Sequence, residues 1–330
     1  MSYFSIIVPV FNRPNEVDEL LFSLTNQSFS DFEVVIVEDG SEVKCEHIVE
    51  KYLKSFCIQY FYKENSGPGQ TRNFGATKAN GDYLLILDSD CILPEHYLSS
   101  IFEELSQNPC DAFGGPDRAH SSFSDVQKAI NYSMTSFFTT GGIRGGRHKL
   151  DKFYPRSFNF GIKKSVFEIL GGFSSMRFGE DIDLSIRIFK HNYSCRLFPR
   201  SWVYHKRRTD FCKFFKQVHN SGIARINLYK RYPDSLKLVH FLPACFTLGV
   251  LFLSIISCFY PKLFSLILIY MLLIFFDASI KEKSVKIGFL AIIASFVQLL
   301  GYGTGFLRGV WKRLILKKDE FSAFEHNFYK

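Results

Sequence analysis

The chain has 330 residues, of which 47% are hydrophobic and 17% aromatic, and its formal net charge is +8 at pH 7. This length suffices for one large domain with extra segments or for two domains. The positive charge favours an anionic partner, such as a phosphorylated ligand, an acidic membrane surface or nucleic acid. The eight cysteines include no C-x-x-C pair and no regular spacing, which argues against a zinc site and a disulfide framework.

The N-terminal segment MSYFSIIVPVFN has no basic leader and no cleavage site, and its apolar run is too short for a signal peptide. We therefore expect the first part of the protein to stay in the cytoplasm, where its cysteines would be free thiols.

Residues 4–105 alternate β-branched and aromatic runs with segments of helical apolar spacing. The predicted strands are residues 4–10, 32–39, 58–64 and 83–90, and the predicted helices are residues 14–27, 45–56 and 67–80. This alternation predicts a parallel sheet covered on both faces, with ligands at the carboxyl ends of its strands. Those ends are rich in acids, amides and glycines, in the sequences PVFNRP, VEDGS, KENSGPG and LDSDC.

The pattern after residue 110 is less regular. The predicted elements are short strands within residues 111–117, 157–164 and 195–205 and helices at residues 180–192 and 211–232. A loop at about residues 135–156, rich in Gly, Arg and Lys, is expected to close over a ligand. Residues 211–232 mix Phe, Val and Ile with Lys and Arg, which fits either a membrane interface or packing on the protein.

The C-terminal part is strongly apolar. Residues 238–260 contain no acid, lysine or arginine and exceed the roughly 20 residues that cross a bilayer, and residues 263–276 complete a predicted helical hairpin. Basic clusters flank a third apolar segment, residues 287–310, and both clusters prefer the cytoplasmic side. We predict two spans, while the third segment is either a span or a re-entrant or surface segment broken at Gly301, Gly303 and Gly305.

Asp88 and Asp90 follow a buried strand candidate, with one serine between them. Residues two apart in a strand point to the same side, so a divalent cation between the two carboxylates would relieve their repulsion. Mg2+ takes one or two carboxylates and fills its other positions with water and phosphate oxygens, so the pattern indicates a metal bound to a diphosphate. The alternative is that both acids simply cap the strand or its turn.

Other polar residues lie at the same predicted edge. Arg72 and Asn73 fall in the first turns of a helix that begins after a glycine-rich segment, where anions are favoured. Glu38 and Asp39 end a strand and could accept hydrogen bonds from a base or ribose. The absence of G-x-G-x-x-G after the first strand argues against a dinucleotide-binding fold.

In this order and spacing, five segments resemble the inverting glycosyltransferases of family 2, whose catalytic domain has the GT-A fold. These segments are SIIVPVFNRP, VVIVEDGS, GPGQTRNFGA, LLILDSDC and GEDIDLSIR, and the resemblance covers roughly residues 3–230. It implies a mostly parallel, Rossmann-like α/β catalytic domain over residues 1–232, followed by a membrane region over residues 233–330. The apolar hairpin resembles that of membrane-attached members that build bacterial surface glycans.

The resemblance also implies roles for individual residues. The predicted substrate-binding residues are Pro9, Phe11, Asn12, Arg13, Glu38, Asp39, Arg72, Asn73, Asp88, Ser89, Asn159 and Arg207. The predicted metal ligand for Mg2+ or Mn2+ is Asp90, with Asp88 and His205. For His205 a purely structural role is the alternative, and Asn159 either reaches the sugar or bonds only to the protein. The basic run that contains Arg207 binds the diphosphate or anionic lipid, or is a solvated turn.

Glu180 and Asp181 lie at the predicted start of a helix, after Gly179, which permits a tight turn. Acids at this position also stabilise a helix without any catalytic duty, and geometry does not choose between the two. In the family the aspartate of the E-D pair is the base, so the resemblance implies that Asp181 is the catalytic base and that Glu180 positions the acceptor. Asp183 is expected to be a solvated or capping acid.

The predicted function is metal-dependent, inverting transfer of one sugar from a nucleotide-sugar donor to a lipid-linked or surface-glycan acceptor at the cytoplasmic face of the inner membrane. The Q-x-x-R-W sequence of processive synthases is absent, which favours addition of a single sugar. The alternative is a non-catalytic, membrane-anchored nucleotide-binding or scaffold protein. A phosphatase with a nucleophilic Asp after its first strand is disfavoured, because this chain has VPVFNRP there, and no nucleic-acid motif is present.

Overall fold

The computed structural model describes residues 2–140 and 153–319. These residues form two compact units. The first comprises residues 2–120 and 153–206, and the second comprises residues 121–140 and 207–319. Residues 141–152, in the loop predicted to close over a ligand, lie outside the described residues.

A seven-stranded sheet forms the centre of the first unit, in the order β3-β2-β1-β4-β8-β6-β9. Its strands are β1 (Phe4–Val10), β2 (Phe32–Asp39), β3 (Cys57–Lys63), β4 (Tyr83–Leu87), β6 (Ala112–Gly114), β8 (Asn159–Lys163) and β9 (Cys195–Leu197). The four N-terminal strands pair in parallel, whereas β8 is antiparallel to both of its neighbours. A second sheet has the order β5-β10-β7 and contains β5 (Cys91–Ile92), β7 (Asp117–Arg118) and β10 (Val203–His205).

Six helices accompany these strands in the described part of the first unit. They are α1 (Pro14–Thr25), α2 (Glu46–Val49), α3 (Pro68–Lys78), α4 (Tyr97–Gln107), α7 (Lys164–Ile169) and α8 (Glu180–Lys190). Alternate residues of β1 enter two different cores: Ile6 and Val8 pack with residues of α1 and α4, and Ile7 packs with residues of α3, α7 and α8. Both faces of the sheet are thus covered, as the alternation of strands and helices predicts.

The second unit is helical. Its helices are α5 (Asp125–Thr135), α6 (Phe137–Thr140), α9 (Phe211–Arg231), α10 (Leu242–Ile256), α11 (Phe264–Glu282) and α12 (Val285–Gly309), and a π-helical turn (Val310–Ile315) follows α12. Helix α12 packs against α5, α9, α10 and α11. Three helical segments, Leu238–Ile256, Pro261–Glu282 and Val285–Ile315, have the length and composition needed to cross a membrane.

The glycines of α12 do not break the helix, in contrast to the re-entrant or surface segment considered for this part of the sequence. Helix α12 continues through Gly301, Gly303 and Gly305, which allow close packing against neighbouring backbone. A Cβ added to Gly305 would lie 2.0 Å from the His219 carbonyl oxygen on α9, and one added to Gly303 would lie 2.3 Å from the Pro243 carbonyl oxygen on α10.

The predicted GT-A-type α/β fold is confirmed, and β1 and β2 have the predicted bounds. Several local predictions differ from the structure. Residues 195–205 form two strands in different sheets, β9 and β10, rather than one, and residues 137–140 of the predicted loop form helix α6. Strand β4 ends at Leu87, before the two aspartates, and residues 45–56 form only short helical turns rather than one helix. The predicted domain boundary after residue 232 remains a prediction, although α9 packs within the second unit. All eight cysteines lie in the described residues and are free.

Candidate active site

Asn12 connects the loops that follow β1 and β2 through hydrogen bonds. Its side-chain oxygen accepts hydrogen bonds from the backbone N–H groups of Glu42 and Val43, at 2.9 and 3.0 Å, and its own N–H donates to Ser41 Oγ. Asn12 has a left-handed backbone with φ of 53°, a conformation that asparagine tolerates better than most residues. Pro9 lies in β1, and Phe11 and Arg13 flank Asn12, so the predicted base-binding segment forms one side of this edge.

Asp39, at the end of β2, organises the loop that leads into α3. Its carboxylate accepts hydrogen bonds from Lys63 Nζ at 2.7 Å and from the backbone N–H groups of Ser66 and Gly67 at 2.9 and 3.0 Å. Lys63 was not predicted from sequence. The signal that could have identified it is its position, since it ends β3 in the register opposite Asp39.

Glu38 was predicted to bind the base or ribose, but its side chain is fully buried. It accepts hydrogen bonds from the Cys45 backbone N–H and the Tyr60 hydroxyl, both at 2.9 Å. Successive residues of a strand face opposite sides, so Glu38 points into the core while Asp39 points to the loop. The structure therefore gives Glu38 a supporting role.

Asp88 and Asp90 lie in a tight turn rather than on a strand, because the Cys91 N–H donates to the Asp88 carbonyl oxygen at 3.1 Å. Their carboxylates consequently have different partners. Asp88 accepts from Arg72 at 2.7 Å, whereas Asp90 accepts from Arg13 and lies 3.2 Å from His205 Nε2. Ser89 is buried between them in the turn. The structure thus separates Asp88 from the group of Asp90 and His205.

Strand pairing in the second sheet places His205 beside Asp90. In the antiparallel pair of β10 and β5, His205 lies opposite Cys91, the residue after Asp90. The ring of Phe158 stacks on the imidazole, with centroids 4.6 Å apart, and Asp117 Oδ2 lies 4.0 Å from His205 Nδ1. Asp117 was not predicted from sequence, because only the pairing of β7 with β10 brings it close.

The residues near Asp90 fit a divalent cation. Ligand atoms of Asp90, Cys91 and His205 lie within 4.8 Å of one another, and the carboxylate of Asp90 suits Mg2+ or Mn2+. Burial raises the pKa of the Cys91 thiol well above its ordinary value, and the thiol contacts the Phe158 carbonyl oxygen. Thiolates are soft ligands that suit zinc and copper better than Mg2+ or Mn2+, so Cys91 is a poor candidate ligand for these cations.

Arg72 joins two of the predicted motifs. Its guanidinium donates from Nη1 to Glu180 Oε1 at 2.9 Å and from Nη2 to Asp88 Oδ1 at 2.7 Å. The Arg72 residue is only 3% exposed, and it lies in the first half of α3, which begins after Gly67. A planar guanidinium can donate to two carboxylates at once, so a single buried residue holds the acidic turn beside the start of α8.

Glu180 and Asp181 begin α8 after Gly179, whose φ of 82° explains the glycine at this turn. Burial and the neighbouring Asp181 carboxylate raise the pKa of Glu180 to about 7, although Arg72 has the opposite effect. The Asp181 carboxylate lies 3.4 Å from the Ser157 N–H and 3.6 Å from Arg156 Nη1. Ser157 and Phe158 are adjacent in the chain, so one segment contacts both Asp181 and the ring of His205.

Other predicted residues have structural partners. The side-chain amide of Asn159 has partners inside the protein, since it accepts from the Tyr97 hydroxyl and donates to the Ser201 carbonyl oxygen, both at 2.8 Å. Asn73 bonds to the backbone of Phe173 through both of its amide atoms. These contacts favour the protein-bonded alternative for Asn159.

The surroundings of two further residues, Arg207 and Asp183, bear on their predicted roles. Arg207 belongs to the second unit, where it donates to Asn131 Oδ1 at 3.1 Å. Asp183, expected to be solvated or a helix cap, is 1% exposed and forms an ion pair with Arg187 at 2.9 Å. The i and i+4 spacing on α8 brings these two side chains together.

The mostly parallel sheet, the acidic turn after β4 and the acidic start of α8 are arranged as in glycosyltransferases of the GT-A class. Residues 5–178 match the family model for glycosyl transferase family 2, and the chain belongs to this family. It is thus a member of a family of transferases.

Curated relatives agree with this placement. The chain is 33% identical over 195 residues to an uncharacterized glycosyltransferase of Haemophilus influenzae, with 56% of this chain and 62% of the relative covered. It is 36% identical over 104 residues to one of Rickettsia bellii, with 32% and 15% covered. The chain therefore covers less than two thirds of the length of either relative.

A solved structure shows the same fold over most of the chain. The mannosyltransferase PcManGT from Pyrobaculum calidifontis, in complex with GDP-Man and Mn2+, aligns with a TM-score of 0.65 and 14% sequence identity. The alignment covers 94% of this chain and 88% of PcManGT.

Proposed function

We propose that the protein transfers a single sugar, with inversion, from a nucleotide-sugar donor to a lipid-linked or surface-glycan acceptor at the cytoplasmic face of the membrane. One observation carries this proposal: buried Arg72 bonds both to Asp88 of the acidic turn and to Glu180 beside the candidate base. A donor site and an acceptor site must be adjacent for transfer, and this arginine would hold them side by side.

The donor would lie along the carboxyl edge of β1, β2 and β4, where ligands of such sheets bind. The loop held by Asn12 and Asp39 would surround the base. Arg13 and Lys63 supply positive charge at the same edge and suit a diphosphate. PcManGT, which has the same fold, was solved in complex with the nucleotide sugar GDP-Man, and this choice of donor is supported by that likeness of fold alone.

Asp90 and His205 are the residues that would hold the divalent cation, Mg2+ or Mn2+. When bound, such a cation neutralises the charge that develops on the leaving nucleotide diphosphate. Arg13, which bonds to one oxygen of Asp90, would add positive charge beside the diphosphate.

The protein's own residues would supply the proton transfer. The acceptor hydroxyl oxygen attacks the anomeric carbon, the bond from that carbon to the diphosphate oxygen breaks, and the hydroxyl proton passes to the Asp181 carboxylate. The Asp181 side chain is 12% exposed, which leaves it accessible to a substrate while limiting its contact with water. Glu180, held by Arg72, would position the acceptor.

The apolar helices make a membrane acceptor the natural choice. Three segments are long and apolar enough to cross a bilayer, and the lysines at the α11–α12 turn favour the cytoplasmic side for that turn. A lipid-linked glycan would present its sugar at this surface.

Divalent-dependent hydrolysis and transfer with a panel of nucleotide sugars tests the proposal, with lipid-linked products identified by mass spectrometry. We expect one donor to be consumed in the presence of Mg2+ or Mn2+. Asp181→Asn should still bind that donor but should lose transfer. If no donor reacts while nucleotides bind, the chain is a nucleotide-binding or scaffold protein and the proposal fails.

A further inference from the structure

Helices α5 and α6 occupy an unusual place in the sequence. They lie between β7 and β8, two strands of the first unit, yet both belong to the helical second unit. The buried residues Ala129 and Ile130 of α5 share a core with Ala278 of α11 and Ala291 of α12. The chain thus leaves the strand-forming part of the sequence to pack on candidate membrane helices.

Three polar contacts show in which direction the segment formed by α5 and α6 runs along α11 and α12. Asp125, at the start of α5, pairs with Lys286 at 2.8 Å, and the Tyr132 hydroxyl donates to Asp277 at 2.6 Å. The Tyr270 hydroxyl then donates to the backbone oxygen of Phe138 at 2.9 Å. Tyr270 lies two turns before Asp277, about 10 Å along the helix axis. The segment therefore runs from the lysine-rich turn toward the apolar middle of α11.

Helix α6 exposes apolar side chains at this point. Phe137 is 69% exposed and Phe138 is 37% exposed. The neighbouring surface of α11 is also apolar, since Leu266 and Leu273, one turn on either side of Tyr270, are 52% and 48% exposed. Adjacent exposed phenylalanines are costly in water but suit a hydrocarbon environment. This apolar surface is continuous with a helix that has the length and composition of a membrane span.

We propose that Phe137 and Phe138 form a second membrane-inserting element, in contact with lipid hydrocarbon beside α11. This inference rests on the proposed membrane placement of α11. The polar contacts at Asp125 and Tyr132 lie nearer the lysine-rich turn, where lysine heads reach lipid phosphates and water. Only α6 would enter the bilayer, while the start of α5 would stay at the interface.

Depth-dependent fluorescence quenching tests the proposal in the full chain, reconstituted in nanodiscs with phospholipids brominated on their acyl chains. The two native tryptophans, Trp202 and Trp311, are replaced by phenylalanine, and single tryptophans are introduced as Phe137→Trp, Leu273→Trp and Phe22→Trp. Leu273→Trp reports on α11, and Phe22→Trp is a water-facing control because Phe22 is 63% exposed on α1.

We expect brominated lipid to quench Phe137→Trp as strongly as Leu273→Trp and to leave Phe22→Trp unquenched. Quenching of Leu273→Trp without quenching of Phe137→Trp overturns the inference and leaves the membrane placement of α11 intact. That result would also be obtained if a second protein copy covered α6. If Leu273→Trp is not quenched, the proposed membrane placement fails, and this inference fails with it.

Discussion

The Arg72 guanidinium and the Glu180 carboxylate are separated by 108 positions in the chain and are joined by a hydrogen bond of 2.9 Å. Both side chains are almost completely buried, and the guanidinium also bonds to Asp88. A buried charge is stable only when oppositely charged groups surround it. Arg72 therefore supports the fold and the candidate site through the same contacts.

Replacing Arg72 should damage stability and activity together. Arg72→Gln leaves Asp88 and Glu180 without their shared cation, and loss of one partner of a buried ion pair costs about 3–5 kcal/mol of unfolding free energy. Arg72→Lys should recover only part of this loss, because one ammonium group cannot reproduce the two-sided guanidinium contact. Chemical denaturation and transfer assays on both variants measure the two effects.

Arg200 provides a matched control for that substitution. Its ion pair with Glu103 at 3.0 Å is largely exposed, with 64% and 49% of the two side chains accessible. Exposed pairs contribute about 0–1 kcal/mol, so Arg200→Gln should unfold close to the wild type. Equal losses of unfolding free energy in Arg72→Gln and Arg200→Gln would show that the buried ion pairs of Arg72 contribute no more than an exposed pair.

His205 should determine how tightly the protein binds a divalent cation. Removing an imidazole ligand in His205→Gln should weaken Mn2+ binding by on the order of tenfold or more, as measured by electron paramagnetic resonance of free Mn2+. Cys91→Ala should bind Mn2+ like the wild type, because a thiolate is a poor ligand for a hard cation such as Mn2+. Unchanged affinity in His205→Gln would remove this histidine from the metal site.

The two aspartates illustrate how far the sequence alone could lead. Residues 83–90 were predicted as one strand because their apolar run is continuous, but nothing local reveals that the backbone turns after Leu87. The prediction of two convergent carboxylates depended on that strand. The sheet and its ligand edge were predictable, because they follow from repeated alternation rather than from one turn.

Other features of the site depend on long-range pairing that no local pattern contains. Lys63 and Asp117 reach the site only through the register of β3 with β2 and of β7 with β10. Likewise, the glycines of α12 look like helix breakers in sequence, and only their neighbours α9 and α10 reveal them as contact points. Sequence gives the residue type in each case, whereas the partner comes from tertiary structure.

Asn159 should matter for stability rather than for acceptor recognition. Asn159→Ala removes the partners of the buried Tyr97 hydroxyl and the Ser201 carbonyl oxygen. Leaving such groups unsatisfied costs about 1–3 kcal/mol each. We expect a lower unfolding free energy with an unchanged acceptor KM at a temperature where the variant stays folded. A raised acceptor KM in a variant of normal stability would instead restore Asn159 to the substrate site.

Glu180 should make stability depend on pH. Burial and Asp181 raise its pKa from 4.5 to about 7, so the folded state holds a proton that the unfolded state releases. The stability due to this proton is complete below about pH 4.5 and is lost as the pH rises through about 7. Glu180→Gln, which still accepts from Arg72, should therefore lose less stability than the wild type between about pH 5 and pH 8. Melting curves that shift in parallel over this range would contradict the raised pKa.

Gly305 and Gly249 offer a comparison within the helical unit. A Cβ on Gly305 would lie 2.0 Å from the His219 carbonyl oxygen, and this backbone atom cannot move aside as a flexible side chain would. Gly305→Ala should push α12 from α9 and cost about 1–3 kcal/mol or more. Among the described residues, nothing lies within 4 Å of a Cβ on Gly249, so Gly249→Ala should be neutral or should stabilise α10 by up to about 1 kcal/mol. Thermal unfolding in detergent micelles compares the two, and equal stability of both variants would show that the α9–α12 contact is looser than the structure indicates.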